Sequence, residues 1–176
     1  MAFADPKNNL AQLGLTPGLQ VADFGAGNGS YTLGIARAVR PDGKVYAIEI
    51  QKELLAKLEH DAAEAHVTNI GFLWGDLETV GGSKLPDAKV DLVVMSNVLF
   101  QLAGAYPAVL EAKRVLKSGG RVVVIDWAGS FGGLGPKPEQ VLKPEQVQKI
   151  FIDNGFTLQR AFEAGDHHYG LIFKLA

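Results

Sequence analysis

Three glycines at alternate positions, Gly25, Gly27 and Gly29, follow a short apolar run in VADFGAGNGS, Val21 to Ser30. Such a loop brings backbone N–H groups close to a ligand, and it also serves tight strand-to-helix turns for purely structural reasons. Ser30 stands where the dinucleotide fingerprint G-x-G-x-x-G would place its third glycine. Glu49 closes the next apolar run, twenty residues after Gly29 (49 − 29). In an open α/β sheet that carboxylate would lie beside the glycine loop and accept both hydroxyls of a ribose; otherwise it is a solvated charge at a helix start. Asp76, in WGDLE, follows a third apolar run and would accept from an adenine amino group, or else be an ordinary turn aspartate. Three such features on one edge, in strand order, point to a ligand site.

The elements that position these residues alternate in type. Candidate strands are Gln20–Phe24, Lys44–Glu49, Ile70–Trp74, Val90–Ser96 and Arg121–Trp127, several almost continuously apolar, as strands covered on both faces are. Leu54, Leu58, Ala62 and Ala65 mark one helix face. Val109, Ala112 and Leu116 mark another, with Pro107 near its start and Gly119-Gly120 past its end. A further helix runs from about Pro144 to Asn154, and Gly155 stops it. FTLQRAFEA and HHYGLIFKL then form two strands joined too tightly for a crossover helix, so they must be antiparallel. The expected fold is α/β: a Rossmann-like, doubly wound sheet of seven strands, mostly parallel, with an antiparallel last strand. Residues 1–176 are expected to form a single domain, with 1–18 a short N-terminal helical segment that Asp5 caps and Pro6 begins.

Composition narrows the classes of function. Nineteen acidic and seventeen basic residues leave a formal charge of −2, which gives no reason to expect nucleic acid. The chain contains no cysteine, which removes disulfides, thiolate metal sites and cysteine nucleophiles. No convincing metal-ligating set is visible among the aspartates and scattered histidines. MAFADPKNN lacks the apolar core of a signal peptide, and no run is long enough to span a bilayer, so the expected setting is the cytoplasm, without a membrane partner.

With these motifs in place, the sequence resembles the class I S-adenosylmethionine-dependent methyltransferases. VADFGAGNG looks like their first motif, VYAIEI like the acidic second strand and GDLE like the adenine-facing turn. DLVVMSNVLFQL resembles the fourth-strand motif, and VLKSGGRVVVIDW the helix, Gly-Gly turn and fifth strand. The resemblance runs from about Leu10 to the end and implies S-adenosylmethionine as cofactor. Asp23, Gly25, Ala26, Gly27, Asn28 and Gly29 would surround its methionine portion, Glu49 and Ile50 its ribose, and Asp76 with Leu77 its adenine. Ser96 and Asn97 would lie near the methyl group. Ala26 and Asn28 depart mildly from the family pattern, in a loop where backbone contacts dominate.

For the acceptor, topology nominates residues at the same edge. The fifth strand ends there at Asp126-Trp127 and the antiparallel last strand begins there at Asp166–Tyr169. Trp127 and Tyr169 would wall an acceptor pocket, and one of His167 and His168 would act as base; the alternative is an exposed hairpin with an incidental histidine pair. His168, Tyr169 and Asn97 are the candidate catalytic residues, and Phe3, Trp127 and His167 the candidate substrate contacts. The remaining contacts would come from Phe3–Lys7 and the Ala128–Lys143 loop. SNVLF lacks the prolines of the Asn/Asp-Pro-Pro-aromatic signature used on amide and nucleobase nitrogens, and the lack of cysteine argues against arsenite. The leading expectation is methyl transfer to a small-molecule acceptor, with a homodimer as a candidate assembly. A protein or RNA methyltransferase, and a non-catalytic cofactor-binding module, are the alternatives.

Overall fold

The computed structural model describes residues 6–133 and 135–176. Phe3 and Asp5 lie outside the described residues. Seven strands form one sheet in the order β3-β2-β1-β4-β5-β7-β6. They are β1 (Gln20–Phe24), β2 (Lys44–Glu49), β3 (Ile70–Trp74), β4 (Val90–Ser96), β5 (Leu116–Trp127), β6 (Phe156–Glu163) and β7 (His168–Leu175). The helices are α1 (Pro6–Gln12), α2 (Thr32–Ala38), α3 (Lys52–Glu64), α4 (Ala105–Val115) and α5 (Pro144–Asp153). Neighbouring strands from β1 to β5 pair in parallel, and β7 runs antiparallel to both β5 and β6. The first four strands begin and end where their apolar runs do.

Period-two alternation along each strand feeds two separate cores. Ala22, Phe24, Val93, Met95, Val122 and Val124 pack under α4 and α5 on one face. Val21, Val45, Leu92, Val94, Val123 and Ile125 pack under α2 on the other, where Leu10 of α1 joins them. With both faces covered, the central strands have no solvent side, which is why their sequences do not alternate. Among the described residues, no helix is long and apolar enough to cross a membrane.

Two elements differ from expectation. α4 starts at Ala105 and stops at Val115, and β5 already begins at Leu116, because that residue pairs with Val90 ahead of the irregularity between Val90 and Leu92. The pairing lies across the sheet, so no local pattern announces it. α2, only seven residues long with a glycine inside, lacks a clear helical period of its own.

The registers bring the strand ends level. Phe24 of β1 lies opposite Ile48 and Met95, Glu49 opposite Trp74, and Ser96 opposite Ile125. Trp127 lies opposite His168. The carboxyl ends of β1 to β5 and the start of β7 thus share one edge, the usual ligand edge of an open α/β sheet.

Candidate active site

At that edge β1 delivers Asp23 and turns through the glycine loop. Gly25 N and Ala26 N donate to Ile48 O at 2.9 and 3.0 Å, which ties the loop to β2. Two of the glycines contrast. A Cβ on Gly29 would run into the Leu58 side chain of α3, so that glycine serves packing. Gly27 has φ +54°, and a Cβ there would find nothing nearer than Gly25 O at 3.9 Å. Its missing side chain opens onto space that the protein itself does not fill. Ser30 N and Oγ both donate to Asn28 Oδ1, at 3.2 and 2.6 Å, so the residue in place of the fingerprint glycine closes a side-chain turn.

Two adjoining cavities meet at this loop. One, of about 280 Å³, is lined by Gly25, Gly27, Glu49, Ile50, Asp76, Leu77 and Gln101, among others. The second, of about 170 Å³, shares Gly25, Gly27 and Gln101 and adds Asp23, Ala26, Asn28, Tyr31, Ser96 and Asn97. Every cofactor residue proposed from sequence except Gly29 therefore faces one of two connected spaces.

The carboxylates are placed with care. Glu49 is 6% exposed; Oε2 accepts from Gly27 N and Oε1 from Gln51 N, each at 2.9 Å. Each oxygen keeps a second lone pair for a ligand hydroxyl. Asp23, 2% exposed, accepts from the Thr32 hydroxyl at 2.6 Å. Burial pushes its carboxyl up to about 6, against the Thr32 hydrogen bond, and the nearby Glu49 charge adds to the rise. Such a group is poised to ionise fully when a cation arrives. Asp76 Oδ1 accepts from Glu78 N at 2.9 Å, so it both makes the turn and lines the larger cavity.

Buried acids also hold the walls. Glu111 of α4 accepts from Gly81 N, Ser83 N and the Ser83 hydroxyl, and pairs with Arg114. Burial opposes its ionisation, but these donors prevail and hold it down at about 2. Together they fasten the Gly75–Lys89 loop, which carries Asp76, to α4. On the front, Glu78 Oε1 accepts from Ala103 N at 2.6 Å. Asp126 accepts from Leu99 N at 3.1 Å and from Trp127 N at 2.8 Å, anchoring the short 3-10 turn Leu99–Gln101 beside the cavities. Burial raises its carboxyl to about 6, with the backbone donors opposing.

The smaller cavity ends at β4. Ser96 Oγ is buried there without a hydrogen-bond partner. Asn97 sits at φ +55°, a left-handed conformation that asparagine tolerates better than most residues. Its amide N donates to Ile125 O at 2.8 Å, and its carbonyl accepts from Gln101 Nε2 at 2.6 Å. His168, 4% exposed, donates from Nε2 to Asn97 Oδ1 across 2.8 Å and packs against Trp127, the rings tilted by 42° with centroids 4.3 Å apart. His167 lies over Phe131 of the glycine-rich loop at 4.1 Å.

The expectation that Trp127 and Tyr169 wall one pocket is corrected. Trp127 pairs with His168, while Tyr169 pairs with Asp126, so they stand on opposite faces of the sheet. Tyr169 belongs to the core under α4 and α5 and its hydroxyl donates to Leu142 O at 2.9 Å, with burial pushing its phenol upward. Two residues beside the smaller cavity, Asn9 and Tyr31, were not singled out from sequence. Asn9, 2% exposed, donates from Nδ2 to Tyr31 OH and to Ala164 O, each at 2.9 Å. A usable signal existed for Asn9, a polar residue four before the buried Leu13 on the same side of the N-terminal segment.

A family model described as a methyltransferase domain matches residues 15–161. An arsenite methyltransferase of Halobacterium salinarum is 32% identical over 120 residues, 68% of this chain and 30% of that protein. A ubiquinone/menaquinone biosynthesis C-methyltransferase UbiE of Burkholderia orbicola is 30% identical over 119 residues, 68% of this chain and 47% of that protein. The chain thus matches less than half the length of either relative. The crystal structure of a SAM dependent methyltransferase from Aquifex aeolicus superposes with a TM-score of 0.89 at 29% identity, covering 99% of this chain and 91% of that one.

Proposed function

The chain belongs to the class I S-adenosylmethionine-dependent methyltransferases, and we propose that it methylates a small-molecule acceptor. S-adenosylmethionine is its cofactor. The observation that carries the reading is the pair of connected cavities around Gly27, with Glu49 and Asp76 facing one and Asp23, Ser96 and Asn97 the other. The residues suit the cofactor. Gly27 leaves its space free, Glu49 offers lone pairs to ribose hydroxyls, and Asp23 offers a carboxylate to the ammonium. Asp76 and Leu77 stand where the adenine would lie.

Bound there, the cofactor supplies an activated methyl group open to in-line displacement. The protein's part is to align a nucleophile and exclude water. Asn97 and His168 stand at the transfer end, Trp127 packs against the His168 ring, and Trp127 and His167 remain proposed acceptor contacts. Phe3 remains a proposed contact. The lack of cysteine sets the chain apart from an arsenite acceptor, since a soft metalloid calls for thiolates. A net charge of −2 favours a small molecule over RNA.

The test has two stages. Calorimetric titration should give about micromolar affinity for S-adenosylmethionine, with NAD far weaker. Methyl-labelled cofactor incubated with cell extract should then place label in the small-molecule fraction; label in protein or RNA overturns this acceptor class.

A further inference from the structure

A third, larger cavity of about 640 Å³ lies outside the transfer end, lined among the described residues by Asn8, Asn9, Ala128, Glu163, Asp166 and His168, with the backbone turn Ala164-Gly165 between them. Two hydrogen bonds join its lining to that of the inner cavity. His168 lines the outer space and Asn97 the inner one, and Nε2 of the first donates to Oδ1 of the second at 2.8 Å. Asn9 lines the outer space and Tyr31 the inner one, and Asn9 Nδ2 donates to Tyr31 OH at 2.9 Å. Each pair thus has one member in each cavity.

We propose that these pairs form a polar septum at which a small polar acceptor, seated in the outer cavity, meets the methyl group through a hydrogen-bonding oxygen or nitrogen. This inference rests on the methyl-transfer reading above. The described lining of the outer cavity holds amides, carboxylates and an imidazole, and no large aliphatic side chain. A long apolar chain seated there would strip water from those groups and return no hydrogen bonds. The acceptor class is therefore small and polar, and not a long-tailed quinone.

Asn97 gives the septum its direction. Its left-handed backbone is pinned at both N–H and C=O, and its Oδ1 is committed to a buried histidine that packs against Trp127. The amide plane is therefore fixed, and Nδ2, which donates to no described residue, is the group that meets a lone pair on the acceptor. His168 then acts through Asn97 as a positioning residue. As the new C–O or C–N bond forms, the C–S bond breaks with its electron pair left on sulfur. The acceptor's proton passes to water of the outer cavity.

The experiment uses the purified protein, methyl-labelled S-adenosylmethionine and the low-molecular-weight fraction of a cell extract, partitioned afterwards between water and organic solvent. A short-chain demethylated quinone is assayed in parallel. Label is expected in the aqueous small molecules and not in the quinone. With the labelled acceptor, Asn97→Gly, which fits the left-handed backbone, should lower kcat/KM at least about tenfold while cofactor affinity stays within about twofold. His168→Phe keeps a ring against Trp127 but donates nothing, and should show the same loss; the double variant should lose no more than either. Asn97→Asp, nearly isosteric with the parent but lacking the donor, should behave like Asn97→Gly. Label in the organic phase or in the quinone overturns the polar acceptor. Unchanged turnover in folded Asn97→Gly or Asn97→Asp, or additive losses in the double variant, overturns the septum. Cofactor binding with no label in any fraction overturns the methyl-transfer reading itself.

Discussion

The two halves of the site are built on different principles. Around the cofactor cavities the chain works with its backbone: Gly27 leaves room, Gly25 and Ala26 are tied to Ile48 O, and the carboxylates of Glu49 and Glu111 hold loop N–H groups. At the acceptor side it works with side chains drawn from far apart, Asn9 with Tyr31 and Ala164, and His168 with Asn97. A backbone cradle tolerates substitution at most of its positions but not where a Cβ would intrude. A side-chain septum is the reverse, since each member can be exchanged without disturbing the strand that carries it. The contrast teaches where a shared cofactor and a variable acceptor can be served by one fold.

Gly27→Val is the hardest blow to this contrast. Cofactor binding should fall below detection while the fold survives, since the added side chain meets ligand space and not the core. Its melting temperature is lowered by the strain of a β-branched residue at φ +54°, but not by a clash. Gly29→Val, aimed at the buried Leu58 side chain, should instead lower the melting temperature further than Gly27→Val does. Normal cofactor affinity in Gly27→Val would show that the loop is only a turn.

Glu49→Gln comes next. It removes a charge-assisted acceptor and should weaken cofactor binding by roughly 1–3 kcal/mol in titration. Asp76→Ala should cost less, because a neutral amino donor is involved. Equal affinities across wild type and both variants, with intact circular dichroism, would move the ribose and adenine elsewhere.

A smaller effect comes from pH. Asp23 stands at about 6, raised from an ordinary value of 3.8. A cationic ligand group beside it favours the ionised form, so cofactor affinity should fall as pH drops below about 6, by up to about tenfold per unit. For the cofactor-free protein the sign reverses. A raised acid stabilises the fold while protonated, fully below 3.8, and that contribution is lost as pH rises through about 6. Asp126, also at about 6, adds to the same trend in stability but should not touch binding. Asp23→Asn should abolish the affinity slope; a slope that survives it assigns the titration to another group.

The least effect is expected from Tyr169→Phe. Its hydroxyl holds Leu142 O, on the face away from His168, so loss of that bond should cost about 1 kcal/mol of stability. Methyl transfer should stay within about twofold. A tenfold fall in turnover would restore Tyr169 to the acceptor site.

The cofactor half was readable because its signals are local. Glycines at 25, 27 and 29, an acid closing β2 and an acid after β3 follow one another in chain order, and the first four strands coincide with apolar runs. The septum was only half readable. Asn97 and His168 could be placed at the edge from topology, but their hydrogen bond, and the Asn9–Tyr31 pair, join segments 71 and 22 residues apart. Pairing Trp127 with Tyr169 neglected the alternation of adjacent residues across a strand, which the sequence itself supplies. β5's early start needed Val90 from across the sheet.

Asn9 also imposes an order on synthesis. All described residues lining the two cofactor cavities lie between Asp23 and Leu102. The septum instead waits for His168, and its inner brace for Ala164, 155 residues after Asn9. As the chain leaves the ribosome, every described residue lining the cofactor cavities is made before His168, so Asn97 is in place before the imidazole that fixes its amide plane. The first helix meets α2 early, through Leu10 and the Asn9–Tyr31 bond, but its tie to Ala164 O waits for the β6–β7 turn, so the septum closes only after the cofactor cavities are lined.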